Sequence, residues 1–122
     1  MRIAVSSTGP AMDSPVDDRF GRCSHFVLVE PDTDTYGAVE NSARDADRGA
    51  GVQAAQLVID NAVGAVVTGS CGPKAFDTLT AAGIKVYAGA SGTVKDAVDA
   101  FAAGRLTQID GANSAAHSGM GR

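Results

Sequence analysis

Tryptophan is absent from this sequence, and four phenylalanines and two tyrosines are its whole stock of large aromatics. The core must therefore be built from Val, Ile, Leu and many Ala, which suits helices packed closely on a sheet. Cysteine is as scarce. Cys23 and Cys71 lie far apart and form neither a CxxC pair nor a zinc pattern. Histidine is limited to His25 and His117, with no HExxH, no His/Asp cluster and no nucleophile elbow. Spacing leaves a Ser–His–Asp triad open, and nothing in the sequence supports one. Positive charge is in the minority, 10 Lys and Arg against 14 Asp and Glu, for a net charge of −4. That balance argues against broad binding to nucleic acid or to anionic membranes. No apolar run approaches the ~20 residues a membrane span needs. Met1 to Ser6 run straight into a strand without signal-peptide architecture. A cytoplasmic protein with reduced thiols is expected.

What is present is a chain of 122 residues, 44% apolar, long enough for one domain with a real core. Apolar, β-branched runs predict strands over residues 3–6, 26–29, 65–68 and 84–88. The turn at Pro31-Asp32-Thr33-Asp34 returns residues 35–40 as the second arm of a hairpin. Helical spacing of Val52, Ala55, Val58 and Ile59 predicts a helix over 51–61, and two more are expected over 74–82 and 94–103. Gly83 and Gly104 stop the last two. Residues 7–18 form a long loop, functional or mobile. The Gly/Ser/Ala-rich residues 111–122 form a flexible tail beyond a domain of residues 1–110. Alternating helix and strand gives parallel pairing with right-handed crossovers. The expectation is a single three-layer α/β domain with a mixed five-stranded sheet and three helices.

In such sheets ligands bind at the carboxyl ends of the parallel strands. Three loops are expected there: the one after the first strand, Gly69-Ser70-Cys71-Gly72 with Lys74, and Gly89-Ala90-Ser91-Gly92-Thr93. Pro73 opens a helix, so the Ser-Cys-Gly turn would show backbone N–H groups to an anion at a helix start. Gly49-Ala50-Gly51 opens another helix and points the same way, the bland alternative being a helix start where glycine merely lets another backbone come close. Its GxGxxA spacing matches a dinucleotide pattern on paper, but no strand precedes it, so nicotinamide and flavin are rejected. Residues 69–74 carry no GxxxxGK[ST], and Asp77 stands where a CxxxxxR phosphatase needs arginine. Cys71 could ligate a soft metal such as copper(I), helped by a helix start that lowers its pKa; the bland alternative is a cysteine used as a small hydrophobe. Cys23 reads as structural beside the second strand, with lining of the pocket as the second reading. Arg19 and Arg22, with the aromatic Phe20 beside Gly21, could clamp an anion, or the arginines could simply pair with Asp13, Asp17 or Asp18. Phe20 and Phe26 read as core. His117 and Met120 in the tail could touch a metal, although a lone tail histidine is usually solvated.

Several stretches resemble one family in order and spacing. They are Phe20-Gly21-Arg22-Cys23 with Phe26, Gly49-Ala50-Gly51-Val52-Gln53-Ala54-Ala55, Thr68-Gly69 with Gly72-Pro73 and Ala75-Phe76, and Gly83-Ile84-Lys85-Val86-Tyr87. Together they resemble the dinitrogenase iron–molybdenum cofactor biosynthesis family over about residues 1–104. The resemblance implies a ribonuclease-H-like fold without nuclease chemistry and a molybdenum-containing metal-sulfide cluster. For short free-standing chains with Ser-Cys-Gly-Pro, it implies a linear molybdenum–copper sulfide cluster held without obligatory covalent ligands. It also implies MinD/Mrp-like P-loop ATPases as partners.

Three readings follow. The first is a non-catalytic cluster carrier, with the cluster held by Arg19, Arg22, Lys74 and the three glycine-rich turns at 49–51, 69–72 and 89–93. The second is a small α/β enzyme acting on an anionic substrate at the same loops, with Asp13, Asp17 or His25 as base. The third is an adaptor with a vestigial pocket.

Overall fold

The computed structural model describes residues 1–111. The tail expected over 111–122, with His117 and Met120, lies outside the described residues but for Gly111. The chain runs β1 (Ile3–Ser7), β2 (His25–Glu30), β3 (Thr35–Glu40), α1 (Ala50–Asp60), β4 (Ala65–Val67), α2 (Pro73–Ala81), β5 (Lys85–Ala88), α3 (Val94–Ala102), β6 (Thr107–Gln108).

Every residue of β1 and β4 is buried, as strands covered on both faces must be. The sheet order is β3-β2-β1-β4-β5-β6. β1, β4 and β5 are parallel, while β1–β2, β2–β3 and β5–β6 pair antiparallel. The sheet thus has six strands where the sequence predicts five. The extra one, β6, has only two residues and forms the edge beside β5.

Side chains alternate across the sheet and split the core in two. Ala4, Phe26, Val66 and Val86 face a cluster with Ala54, Ala55 and Val58 of α1 and Ala75, Phe76 and Leu79 of α2. Ile3, Val5, Val27, Ala65 and Val67 face the opposite cluster with Val94 and Ala97 of α3. The connections β3–α1–β4 and β4–α2–β5 both run the same way along the sheet between parallel strands, so right-handed crossovers put both helices on one face. The connection through α3 leads to an antiparallel strand, which that rule does not govern, and α3 covers the other face.

Each helix begins after a strand that runs in the direction of β1, so all three start at one rim of the sheet. Of residues 7–18, expected as a functional or mobile loop, Ser7 ends β1 and residues 8–18 cross this rim as a strap. It bridges Ser7 to Val16 and Pro15 to Thr93, and just beyond it Arg19 bridges to Ser70. Gly69 lies beneath the strap: an added Cβ would meet the Asp18 Cα at 2.7 Å.

Candidate functional site

A cavity of about 350 Å³ opens on the α1/α2 face of the rim. Three segments line it: Phe20, Gly21 and Arg22 from the β1–β2 connection, residues 49–52 at the start of α1, and residues 72–75 at the start of α2. Its floor is narrow because the backbones nearly touch. A Cβ added at Gly21 would lie 2.9 Å from the Gly51 Cα, and one at Gly51 would lie 3.2 Å from the Ala75 Cβ. Only residues without bulk fit this line. Gly49 turns the chain into α1 with φ +71°, a conformation glycine adopts without strain.

The two helix starts share an electrical character. Neither has a side-chain cap or an acidic residue in its first turn. The Gln53 N–H donates to the Gly49 carbonyl and the Phe76 N–H to the Gly72 carbonyl. Among the described residues, nothing accepts the N–H groups of Ala50, Gly51, Val52, Lys74 or Ala75. Pro73 has no N–H to satisfy. These donors, at the positive ends of two helices, surround one space. Arg22 and Lys74 add cations, and no carboxylate or histidine among the described residues lines it. Arg22 also holds the neighbouring segment: its Nη1 donates to the Arg44 and Ala46 carbonyls, each at 2.8 Å. Those bonds use one nitrogen of a group with five N–H donors.

The helix α3 is the contrast. Its Thr93 Oγ1 accepts the Asp96 N–H at 3.1 Å, and the Asp96 carboxylate accepts the Thr93 N–H at 3.0 Å, a reciprocal capping box. The Val94 and Lys95 N–H groups donate to the Ser14 and Met12 carbonyls of the strap. The Thr93 backbone bond holds the Asp96 carboxyl below its ordinary pKa. With its donors used and an acid in place, this helix start offers nothing to an anion.

The structure therefore divides the residues grouped by sequence. Arg22, Gly49, Ala50, Gly51, Gly72 and Lys74 come together at the cavity. Gly89, Ala90 and Ser91 line a separate hollow of about 340 Å³ on the α3 face, with Asp96, Asp99 and Arg105. Gly92 and Thr93 belong to the α3 cap. The turns at 69–72 and 89–92 do touch, since the Gly89 N–H donates to the Gly69 carbonyl at 3.1 Å. They share the rim without sharing a pocket, because the cavity opens toward α1 and α2 on one face of the sheet and the hollow toward α3 on the other. Ser70 is held to that strap, its Oγ donating to the Asp18 carbonyl at 2.9 Å. Arg19 stands apart beside Asp17, at 3.7 Å, the surface pairing weighed above.

Cys71 does not face the cavity. It is 1% exposed and packs in the core cluster with Phe20, Cys23 and Phe26, and its thiol donates to the Gly72 carbonyl at 3.7 Å. Burial pushes its pKa up to about 12, opposite to the lowering expected from a helix start. Desolvation by burial is the cause of the rise. Cys23, read as structural, is likewise buried and pushed up to about 12, chiefly by burial. No group of three or more His, Cys, Asp or Glu among the described residues could hold a metal ion. The lining residues that sequence reasoning missed are Val52, Pro73 and Ala75, while Phe20 and Gly21 entered it only as the aromatic and glycine of the arginine clamp. The close approach of Gly21 to Gly51 joins positions thirty residues apart, and no local pattern announces it.

The pattern of the family described as "dinitrogenase iron-molybdenum cofactor" matches residues 1–104. The apo form of the orange protein from Desulfovibrio gigas is 42% identical with a TM-score of 0.90, covering 93% of this chain and 96% of that one. A putative NifB protein from Thermotoga is 38% identical with a TM-score of 0.78, covering 88% and 91%. An uncharacterized protein of Methanocaldococcus jannaschii is 28% identical over 113 residues, 90% of this chain and 92% of its own.

Proposed function

Because the chain belongs to the dinitrogenase iron–molybdenum cofactor family, we propose that it binds and carries a molybdenum-containing metal-sulfide cluster as cargo, without catalysis. The observation that carries this reading is the meeting of two uncapped helix starts, two cations and a carboxylate-free lining at one cavity. Such a site suits an anion. The apolar walls of Phe20, Val52, Pro73 and Ala75 suit a guest whose edges are soft sulfur rather than strongly hydrated oxygen. The volume is at the small end of ligand cavities, roughly 300–1,000 Å³.

The finer proposal is a molybdenum–copper sulfide cluster held by N–H groups, Arg22 and Lys74 rather than by a thiolate. The burial of Cys71 supports that mode. Acid–base catalysis finds little support at this cavity. Asp17 accepts the Arg19 N–H at 2.9 Å, and His25 Nδ1 shares a hydrogen bond with Ser24 Oγ at 2.9 Å. Neither lines the cavity, nor does Asp13. As partner we propose a P-loop ATPase of the MinD or Mrp kind; co-elution of the purified pair on a sizing column supports it, and separate elution ends it. No helix among the described residues is long and apolar enough to cross a membrane.

The central test is reconstitution with tetrathiomolybdate and copper. Retained charge-transfer colour with stoichiometric molybdenum is the expected result. A colourless protein retaining neither metal refutes the proposal.

A further inference from the structure

Asn41 follows β3 and is 1% exposed. The other buried polar residues among those described, Ser6, Ser7 and Thr68, all stand at the ends of β1 and β4 under the strap. Asn41 lies elsewhere and is bonded through both the nitrogen and the oxygen of its amide. Its Nδ2 donates to the Gly21 carbonyl at 3.1 Å and to the Cys23 carbonyl at 2.9 Å. Its Oδ1 accepts the Ala43 N–H at 3.1 Å, and its own N–H donates to the Ser24 carbonyl at 2.9 Å. The side chain thus ties the 21–24 turn to the 41–43 turn.

Both tied segments serve the cavity. Gly21 is the wall residue pressed against the Gly51 backbone, and Arg22 is the neighbouring cation. Arg22 rests on the Arg44 and Ala46 carbonyls. Those carbonyls are placed in turn by the Arg44 N–H donating to the Asn41 carbonyl at 3.2 Å and the Ala46 N–H donating to the Ala43 carbonyl at 3.0 Å. Removing the Asn41 amide leaves the buried Cys23 carbonyl and the partly buried Gly21 carbonyl without this donor, a cost that movement of the turn toward water relieves. A turn that moves carries the cavity wall and Arg22 with it. Asn41 is absent from the lining, so it acts at one remove.

We propose that Asn41 is a positioning residue: without touching the guest, it fixes Gly21 and Arg22 against the start of α1 and so sets how tightly, and in what surroundings, an anionic guest is held. The proposal rests on reading the cavity as the site of the sulfide cluster.

The test titrates wild type, Asn41→Ser, Asn41→Asp and the exposed control Ser42→Ala with tetrathiomolybdate alone. Affinity and the position of the charge-transfer band are read below each protein's unfolding temperature. Both Asn41 variants should bind roughly 10- to 100-fold more weakly, as for other outer-shell partners, with a shifted band. Ser42→Ala should follow wild type. A fall in unfolding temperature with affinity and band unchanged would make Asn41 a core polar residue only and overturn the proposal.

If wild type itself binds no tetrathiomolybdate, the reading of the cavity fails, and amide hydrogen exchange then decides the role of Asn41. Faster exchange at Arg44 and Ala46, whose N–H groups donate to the Asn41 and Ala43 carbonyls and whose own carbonyls hold Arg22, supports positioning in Asn41→Ser, and unchanged exchange there overturns it. If neither Asn41 variant folds, the wild-type Asn41 side-chain resonances decide. Displacement on adding tetrathiomolybdate supports the proposal, and unmoved resonances overturn it.

Discussion

An added Cβ at Gly21 would meet the Gly51 Cα at 2.9 Å and the Gly51 nitrogen at 3.0 Å, contacts with main chain that no rotamer change relieves. Gly21→Ala should therefore lower stability by about 1–3 kcal/mol, read as an earlier urea midpoint. It should also weaken tetrathiomolybdate retention by displacing the wall. Cys71 gives the opposite expectation for the guest. Its thiol is buried and held protonated, so Cys71→Ala should keep the charge-transfer colour while costing about 1 kcal/mol of packing. Native protein should also react slowly with a thiol-specific chromophore near pH 8, and quickly once unfolded. Loss of metal in Cys71→Ala would restore direct ligation as the better account.

Among the elements, the three helix starts differ in what they leave open. Val52 is 36% exposed in the first turn of α1. Val52→Glu puts an acid where the helix dipole welcomes it, worth ~0.3–1 kcal/mol. Stability should hold or rise while guest retention falls several-fold, a pairing of signs that simple misfolding does not produce. Thr93→Ala should do the reverse. It removes the α3 cap at about 1 kcal/mol, leaving retention unchanged because that helix start lies on the other face.

The same comparison shows how far the sequence could be read. Strong periodicity and β-branched runs placed all three helices and five strands within a residue or so of their ends. Thr107–Gln108 escaped because two residues carry no period. Without β6, nothing showed that α3 leads to an antiparallel strand, and so nothing sent it to the opposite face. Gathering residues 89–93 with residues 69–72 followed from that omission. The turns at 49–51 and 72–74 were legible because glycine and proline mark a helix start locally. The contributions of Gly21 and Asn41 depend on contacts across the fold and were not.

At the scale of the whole molecule, the two thiols make alkaline stability a readout of burial. Both pKa values are pushed up to about 12 in the folded protein, against about 8.5 in an unfolded chain. The unfolded state therefore loses these protons first. The stabilising contribution is complete below about pH 8.5 and is lost progressively as pH rises toward 12. The slope is at most about 1.4 kcal/mol per pH unit for each thiol. Urea midpoints of wild type and a Cys23→Ala, Cys71→Ala variant should converge as pH rises over that interval. Parallel curves would mean that the thiols ionise as freely folded as unfolded.

The cavity is built where the first turns of two helices and the β1–β2 connection meet, with only glycine and alanine at their closest points. A guest lodged there acts as a rivet through three pieces of chain, absent from the denatured protein. Its free energy of binding then adds to that of folding, growing with the logarithm of the free guest. A loaded molecule opens to proteases less often than an empty one. If the proposed guest binds there, the half-life of the polypeptide under a protease becomes a gauge of its load.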